Sequence, residues 1–370
     1  MQLRISRKTL LNELNSISGI VAKKPVVQVL ECVKFDVNPN GFIVISATNL
    51  EVSSRRRFFT DKYEGEEVSF CVNPRDMVDI LKTIKEDEIS LLIEEKNTTI
   101  VHGKGKVVIP ILSADEFPKI EDEQARTEVC VSSKKLSEWL KTCSKFASVE
   151  KLVPTICGAY IFVEEGNIGA VATNRNILFS DKEALNEDNI KSDNGVLTIE
   201  AISPILNMIS VCDEVKISFG ERMIMFSTKN AKLSAIKPAG AFPNYKAIIT
   251  KKQSPIKVEI NKEELIDSVI RSLLSANNET QLLKLNFSNG VLDITSENLM
   301  FNKKSNEQCS CVVENGEIAI GVKGSYLIDC LSAINGDNVI IEMTGPNMSI
   351  NMYDKECENK VVLLMPLRIN

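Results

Sequence analysis

The chain has 370 residues, of which 44% are hydrophobic and 25% charged. That is enough for two or three domains' worth of core, and it excludes the disordered and fibrous classes. Forty-four Lys and Arg against fifty Asp and Glu leave a net charge of -6, so a generally basic nucleic-acid coat is excluded and any DNA contact must come from local patches. The longest uninterrupted apolar stretch, Val361 to Leu367, falls far short of the roughly 20 residues that cross a bilayer, and Met1 to Leu11 has no apolar signal region. A cytoplasmic protein without a membrane partner is expected. Ten cysteines without a Cys-x-x-Cys spacing read as reduced thiols that fill core positions.

Along the chain, one local pattern occurs three times: Ile5-Ser6-Arg7-Lys8-Thr9-Leu10, then Val131-Ser132-Ser133-Lys134-Lys135-Leu136, then Ile260-Asn261-Lys262-Glu263-Glu264-Leu265. Each reads as a strand end, an N-cap and the start of an amphipathic helix. Two strand-like runs follow in every copy. The second contains Ser46-Ala47-Thr48-Asn49-Leu50, Val171-Ala172-Thr173-Asn174-Arg175-Asn176 or Asp293-Ile294-Thr295-Ser296-Glu297-Asn298-Leu299, and its threonines Thr48, Thr173 and Thr295 are 125 and 122 positions apart. A second helix keeps the same offsets at Leu81, Leu206 and Ile328, and Phe117-Pro118 returns 125 positions later as Phe242-Pro243. Alternation in Val215-Lys216-Ile217-Ser218-Phe219 and Ile256-Lys257-Val258-Glu259-Ile260 indicates half-buried strands. The predicted fold is therefore α+β, with three tandem repeats of two helices over an antiparallel sheet. Polar segments at Glu121 to Gln124 and Thr250 to Pro255 place the domains at residues 1–123, 124–250 and 251–370.

At this point the residues carry a family resemblance. The triplicated unit resembles the bacterial DNA polymerase III beta subunit family, the sliding clamps. So do Ser18-Gly19 through Lys24-Pro25, Ala47 to Glu51, Leu112 to Pro118, Phe242 to Tyr245 and the terminal Met365-Pro366-Leu367-Arg368-Ile369, in the expected order over essentially the whole chain. The resemblance implies a head-to-tail homodimer closed into a ring around double-stranded DNA. It implies no enzymatic activity and no cofactor. The polymerase III alpha subunit, the clamp loader and other clamp-motif proteins are the implied partners. Two rival readings remain open, a diverged clamp paralogue and a monomeric tandem-repeat scaffold that ignores DNA.

Helical spacing supports DNA contact at one place above all. Leu136, Trp139, Leu140 and Cys143 form an apolar stripe, while Lys134, Lys141 and Lys145 fall on the roughly opposite face with only Glu138 among them. Arg75 and Lys82 share their face with Asp79, and Arg271 shares one with Asp267, which dilutes basic character there. By resemblance, Lys24 in a loop and Arg75 join the three lysines as expected DNA contacts. The three repeats carry -3, +1 and -4, so the middle repeat is the least acidic. A few long lysine side chains over phosphates give sequence-independent, salt-sensitive attraction compatible with sliding.

Constellations for catalysis are poor. His102, the only histidine, stands beside Gly103-Lys104-Gly105-Lys106, which lacks the spacing and terminal hydroxyl of a phosphate-binding loop. Cys309-Ser310-Cys311 has no third and fourth ligand nearby, so no metal site is expected. Glu64 to Glu67 and Glu86 to Glu88 read as solvated turns.

In the resembled family, linear peptides bind an apolar cleft. Position by position that implies Thr155, Ile156, Thr173, Leu178, Pro243, Ile248, Leu363 and Met365 as its wall, with Asn174 and Asn176 on a polar rim. The chain departs from the family here. Residues 172–178 read Ala-Thr-Asn-Arg-Asn-Ile-Leu where the family pattern is Ala-Thr-Asp-Gly-His-Arg-Leu, and Val153 stands where an arginine is usual. Peptide binding is expected with an altered motif preference. The resemblance also places a dimer contact at Val107 and Ile109 on a strand and Leu273 and Leu274 on a helix.

Overall fold

The computed structural model of the chain describes residues 1–22, 25–185, 190–249 and 255–369. The three predicted helix starts have their caps. The Ser6 hydroxyl accepts from the Thr9 amide at 3.3 Å, Ser132 from Lys135 at 3.1 Å, and the Asn261 amide oxygen from Glu264 at 3.0 Å. Each satisfies an amide that the first helical turn leaves without an intrahelical partner. The helices that follow are Arg7–Ser18, Ser133–Phe146 and Lys262–Leu273.

Among the described residues every strand pair is antiparallel, in three sheets of 5, 9 and 12 strands. The second helix of each repeat, Pro74–Thr83, Ile199–Ile209 and Gly324–Ser332, begins 125 residues after the one before. The sequence offset of 122 in the third copy is thereby corrected: Leu331, not Ile328, occupies the buried place that Leu81 holds in the first. The hairpins agree. Their last paired residues are Thr48 with Ser53, Thr173 with Leu178, and Asn298 with Lys303. Asn298 therefore matches Thr48 and Thr173, because the third hairpin runs three residues further than the Thr295 motif indicates.

Two compact units are formed, and they cut through the middle repeat. The first unit comprises Met1–Ser137 and Glu200–Lys237. Within it the strand Val52–Phe59 of the first repeat pairs with Ala231–Ile236, the last strand of the second. Its core includes Phe35 stacked on Phe70 with centroids 5.1 Å apart. The second unit comprises Glu138–Ile199 and Pro238–Asn370. There Ile177–Ala184 pairs with Cys357–Leu364, again joining one repeat's hairpin to the next repeat's last strand.

The predicted apolar stripe of the Ser133–Phe146 helix is fully buried at Leu136, Trp139, Leu140 and Cys143. Within the second unit, Phe146 packs on Phe179 at 5.8 Å, and the Trp139 indole donates to Asp181 Oδ2 at 2.9 Å. Six cysteines are buried and all ten are free thiols. Burial pushes the Cys32 thiol up to about 11 and Cys71 to about 12, which keeps these two protonated and unreactive near neutrality.

Candidate functional site

The hairpin turn at Thr173 to Leu178 is held by its own side chains. The Thr173 hydroxyl donates to the Ile177 carbonyl at 2.7 Å and accepts from the Arg175 amide at 3.1 Å. Asn174 Oδ1 accepts from the amides of Asn176 and Ile177, both at 3.0 Å. These bonds fix Arg175 at φ +76°, a left-handed conformation that favours glycine. Thr48 and Asn49 build the same turn around Leu50, also at φ +76°. Arginine is thus accommodated where the resembled pattern has glycine, with its side chain exposed.

Beyond the turn, Leu178 faces Leu363 across the strand pair, and the Met365 amide donates to the Asn176 carbonyl at 2.8 Å. Leu178 and Leu363 are buried in a cluster with Phe162, Val171 and Tyr245. Thr155 and Ile156, on the short helical turn Pro154–Ile156, are buried as well. The expected wall residues therefore fall into two groups. Thr155, Ile156, Thr173, Leu178 and Leu363 are buried, whereas Pro243, Ile248, Met365 and Asn176 are exposed and Asn174 is half-buried.

Sequence reasoning missed the aromatic group that packs with Leu178 and Leu363. Tyr160 stacks on Phe242 at 4.6 Å, and Tyr245 meets both Tyr160 and Phe242 edge-on at 6.2 and 6.1 Å. The signal was present in the Tyr160-Ile161-Phe162 alternation and in Tyr245 two residues after Pro243. Burial raises both tyrosine hydroxyls above the usual phenol range. A cavity of about 280 Å³ opens beside these rings, with Glu164 and Lys246 at its polar edge.

On the Ser133–Phe146 helix, Lys134, Lys141 and Lys145 are exposed, as the stripe requires. Glu138, the acid among them, bonds to the Lys360 ammonium at 2.6 Å. Its charge is thus met from within the second unit. Burial raises the Asp329 carboxyl, and the Lys145 ammonium opposes that rise. Arg75 is exposed on the first turn of its helix, while Lys82 lies 3.6 Å from Asp79 and Arg271 2.7 Å from Glu307. Lys24 lies outside the described residues.

Residues 1–121 match the family described as DNA polymerase III beta subunit, N-terminal domain, and residues 246–368 match its C-terminal domain. The chain belongs to the DNA polymerase III beta subunit family. Among family proteins, it is 24% identical to the beta sliding clamp of Haemophilus influenzae over 378 aligned positions and 22% identical to that of Staphylococcus epidermidis, covering 99% or more of each chain. Its fold superposes on the DNA polymerase sliding clamp from Pseudomonas aeruginosa with a TM-score of 0.93 at 22% identity, and on that from Bacillus subtilis with 0.92 at 19%, both over the full length of both chains.

The four residues expected at a dimer contact differ in exposure. Ile109 is buried within its own sheet and Val107 is half-buried. Leu273 lies so close over Gly324 that a Cβ there would come within 2.6 Å of it. Leu274 alone among the four projects freely, at 73% exposure. His102 Nδ1 is 3.6 Å from a Glu86 carboxylate oxygen. Among the described residues, no group of three His, Cys, Asp or Glu is arranged to hold a metal ion, and no helix is long and apolar enough to cross a membrane.

Proposed function

We propose that the chain is a DNA sliding clamp. Its three domains, at residues 1–123, 124–250 and 251–370, join with those of a second copy to form a ring around duplex DNA. The ring acts by topology and not by catalysis, holding a polymerase near its primer end through a gain in effective concentration. The observation that carries this reading is a junction made twice and left open once. Val52–Phe59 pairs with Ala231–Ile236, and Ile177–Ala184 pairs with Cys357–Leu364. In the third repeat, among the described residues, Lys303–Ser310 has a strand on one side only, at Val291–Asn298. The matching strand of the first repeat, Gly105–Pro110, is likewise a sheet edge. A second copy supplies each edge with its missing strand, twice over, which closes a head-to-tail pair.

Loaded on nicked circular DNA by an ATP-driven loader, the protein is expected to stay bound until the circle is cut. Equal retention on circular and open-ended linear DNA would refute encirclement.

Partner peptides of the polymerase III alpha subunit and the loader dock, on this reading, over the Leu178 and Leu363 floor against Pro243, Ile248 and Met365. A thioether side chain at the lip adapts to peptides of different shape. Met365→Ala is expected to weaken a Gln-Leu-x-Leu-Phe-type peptide by about 1–2 kcal/mol, the range for a well-packed contact residue. Calorimetric titration is the measurement, and unchanged affinity in both Met365→Ala and Pro243→Trp would show the cleft lies elsewhere.

A further inference from the structure

The three hairpin turns matched by register differ sharply in chemistry. They read Asn49-Leu50-Glu51, Asn174-Arg175-Asn176 and Leu299-Met300-Phe301. Only the third is wholly apolar, and Leu299, Met300 and Phe301 stand 83%, 83% and 61% exposed. Three consecutive large apolar side chains held in water on a short helical turn form a contiguous patch of the kind that marks a contact surface. The patch abuts the strand edge at Lys303–Ser310 that lacks a neighbour in the described chain.

From these observations we infer that Leu299-Met300-Phe301 is an apolar clasp that seats on a second copy of this chain, on the surface around Val108 and Pro110. The inference rests on the two-copy reading above and adds to it the element that carries the seam. The register of the first junction defines the seat. There Arg56 faces Ala231 and Val52 faces Ala235, and the Ile236 amide donates to the Glu51 carbonyl at 2.9 Å. The hairpin Asn97–Pro110 matches Met223–Ile236 end to end, since Asn97 pairs with Pro110 and Met223 with Ile236. Carried over to the third repeat, this register sets Asn306 against Gly105 of the second copy, Lys303 against Val108 and Phe301 against Pro110.

Two consequences separate this seam from the junctions inside the chain. Proline has no amide hydrogen, so Pro110 cannot repeat the bond that Ile236 makes to Glu51. The backbone ladder must stop there, and side chains have to hold the turn. Val108, 56% exposed on the edge strand, and Pro110 offer the apolar surface that Phe301 and Met300 need. The second consequence is electrostatic. By the same register Lys106 stands diagonally from Lys303, and Lys104 falls opposite Glu307. Of the acids on this side, Glu297 is bonded to Lys304 at 2.9 Å and Glu307 to Arg271 at 2.7 Å. Like charges across the seam oppose association, and salt screens them. Burial of the apolar turn therefore adds to the strand pairing what the charges do not supply.

Sedimentation equilibrium of the full chain at micromolar concentrations is the test. The triple variant Leu299→Ser, Met300→Ser, Phe301→Ser is expected to raise the dimer Kd by about tenfold or more, with an unchanged thermal unfolding midpoint because all three side chains are exposed. Val108→Asp should weaken the dimer similarly, and combining it with the triple variant should cost less than the two effects together, as for residues in contact. Raising salt should leave the wild-type dimer as tight or tighter. A wild-type monomer throughout the range would overturn the two-copy reading itself. A wild-type dimer whose Kd is unmoved by the triple variant, or which loosens steeply with salt, would overturn the clasp and leave the dimer standing.

Discussion

Replacing Lys360 with Met is expected to lower the stability of the second unit by about 3–5 kcal/mol, the range for breaking a buried ion pair from one side. Lys360 is only 4% exposed, and its ammonium lies 2.6 Å from Glu138 Oε1, 3.2 Å from Asn335 Oδ1 and 3.9 Å from Asp181 Oδ2. Asp181 is 1% exposed and also accepts the Trp139 indole N–H. Methionine keeps most of the stem's volume, so the loss is electrostatic: two carboxylates, one of them deeply buried, lose their cation. Denaturant unfolding gives the measurement. Asp181→Asn placed on the Lys360→Met background should recover part of the loss, because one uncompensated charge is removed. A loss below about 1 kcal/mol, the level of an exposed ion pair, would mean that the ammonium is not the partner these carboxylates depend on.

The second large effect concerns DNA. Changing Lys134, Lys141 and Lys145 together to Gln removes three exposed charges from the Ser133–Phe146 helix without touching its buried stripe. Unfolding is expected to be unaffected. If each lysine neutralises a phosphate, the slope of log K against log salt for duplex binding should fall by roughly 3, at about 0.9 per contact. Sequence preference should not change, since phosphate contacts carry no base information. Retention on a closed circle should survive the substitution while loading slows, because charge assists the encounter and topology prevents escape. An unaltered salt slope would remove this helix from the DNA surface. Glu138 does not spoil the stripe, since Lys360 already holds its carboxylate.

Much of the fold was legible in the chain. The three helix caps at Ser6, Ser132 and Asn261 are local devices, in which one side chain serves an amide three residues on, so the sequence pattern and the structure agree residue by residue. The buried stripe of Leu136, Trp139, Leu140 and Cys143 follows from helical spacing alone. The Thr48 and Thr173 turns were recognisable for the same reason, because their hydrogen bonds close within four residues.

What the chain could not reveal was decided by partners distant in sequence. The third hairpin carries Thr295 in a motif like the others, yet its strands continue pairing to Asn298 and Lys303, because cross-strand register and not the motif determines where a ladder ends. Ile109 and Leu273 look as available as Val108 and Leu274 until the sheet turns Ile109 inward and Gly324 receives Leu273. Leu178 and Leu363 read equally well as groove or core. Tyr245, Phe162 and Val171 pack with them, while Pro243, Ile248 and Met365 remain exposed. Composition and periodicity determined which side chains must leave water and which helices and strands form. Tertiary packing alone decided which apolar residues remained outside, because burial is shared among many surfaces competing for the same side chains and no local pattern records which surface prevails.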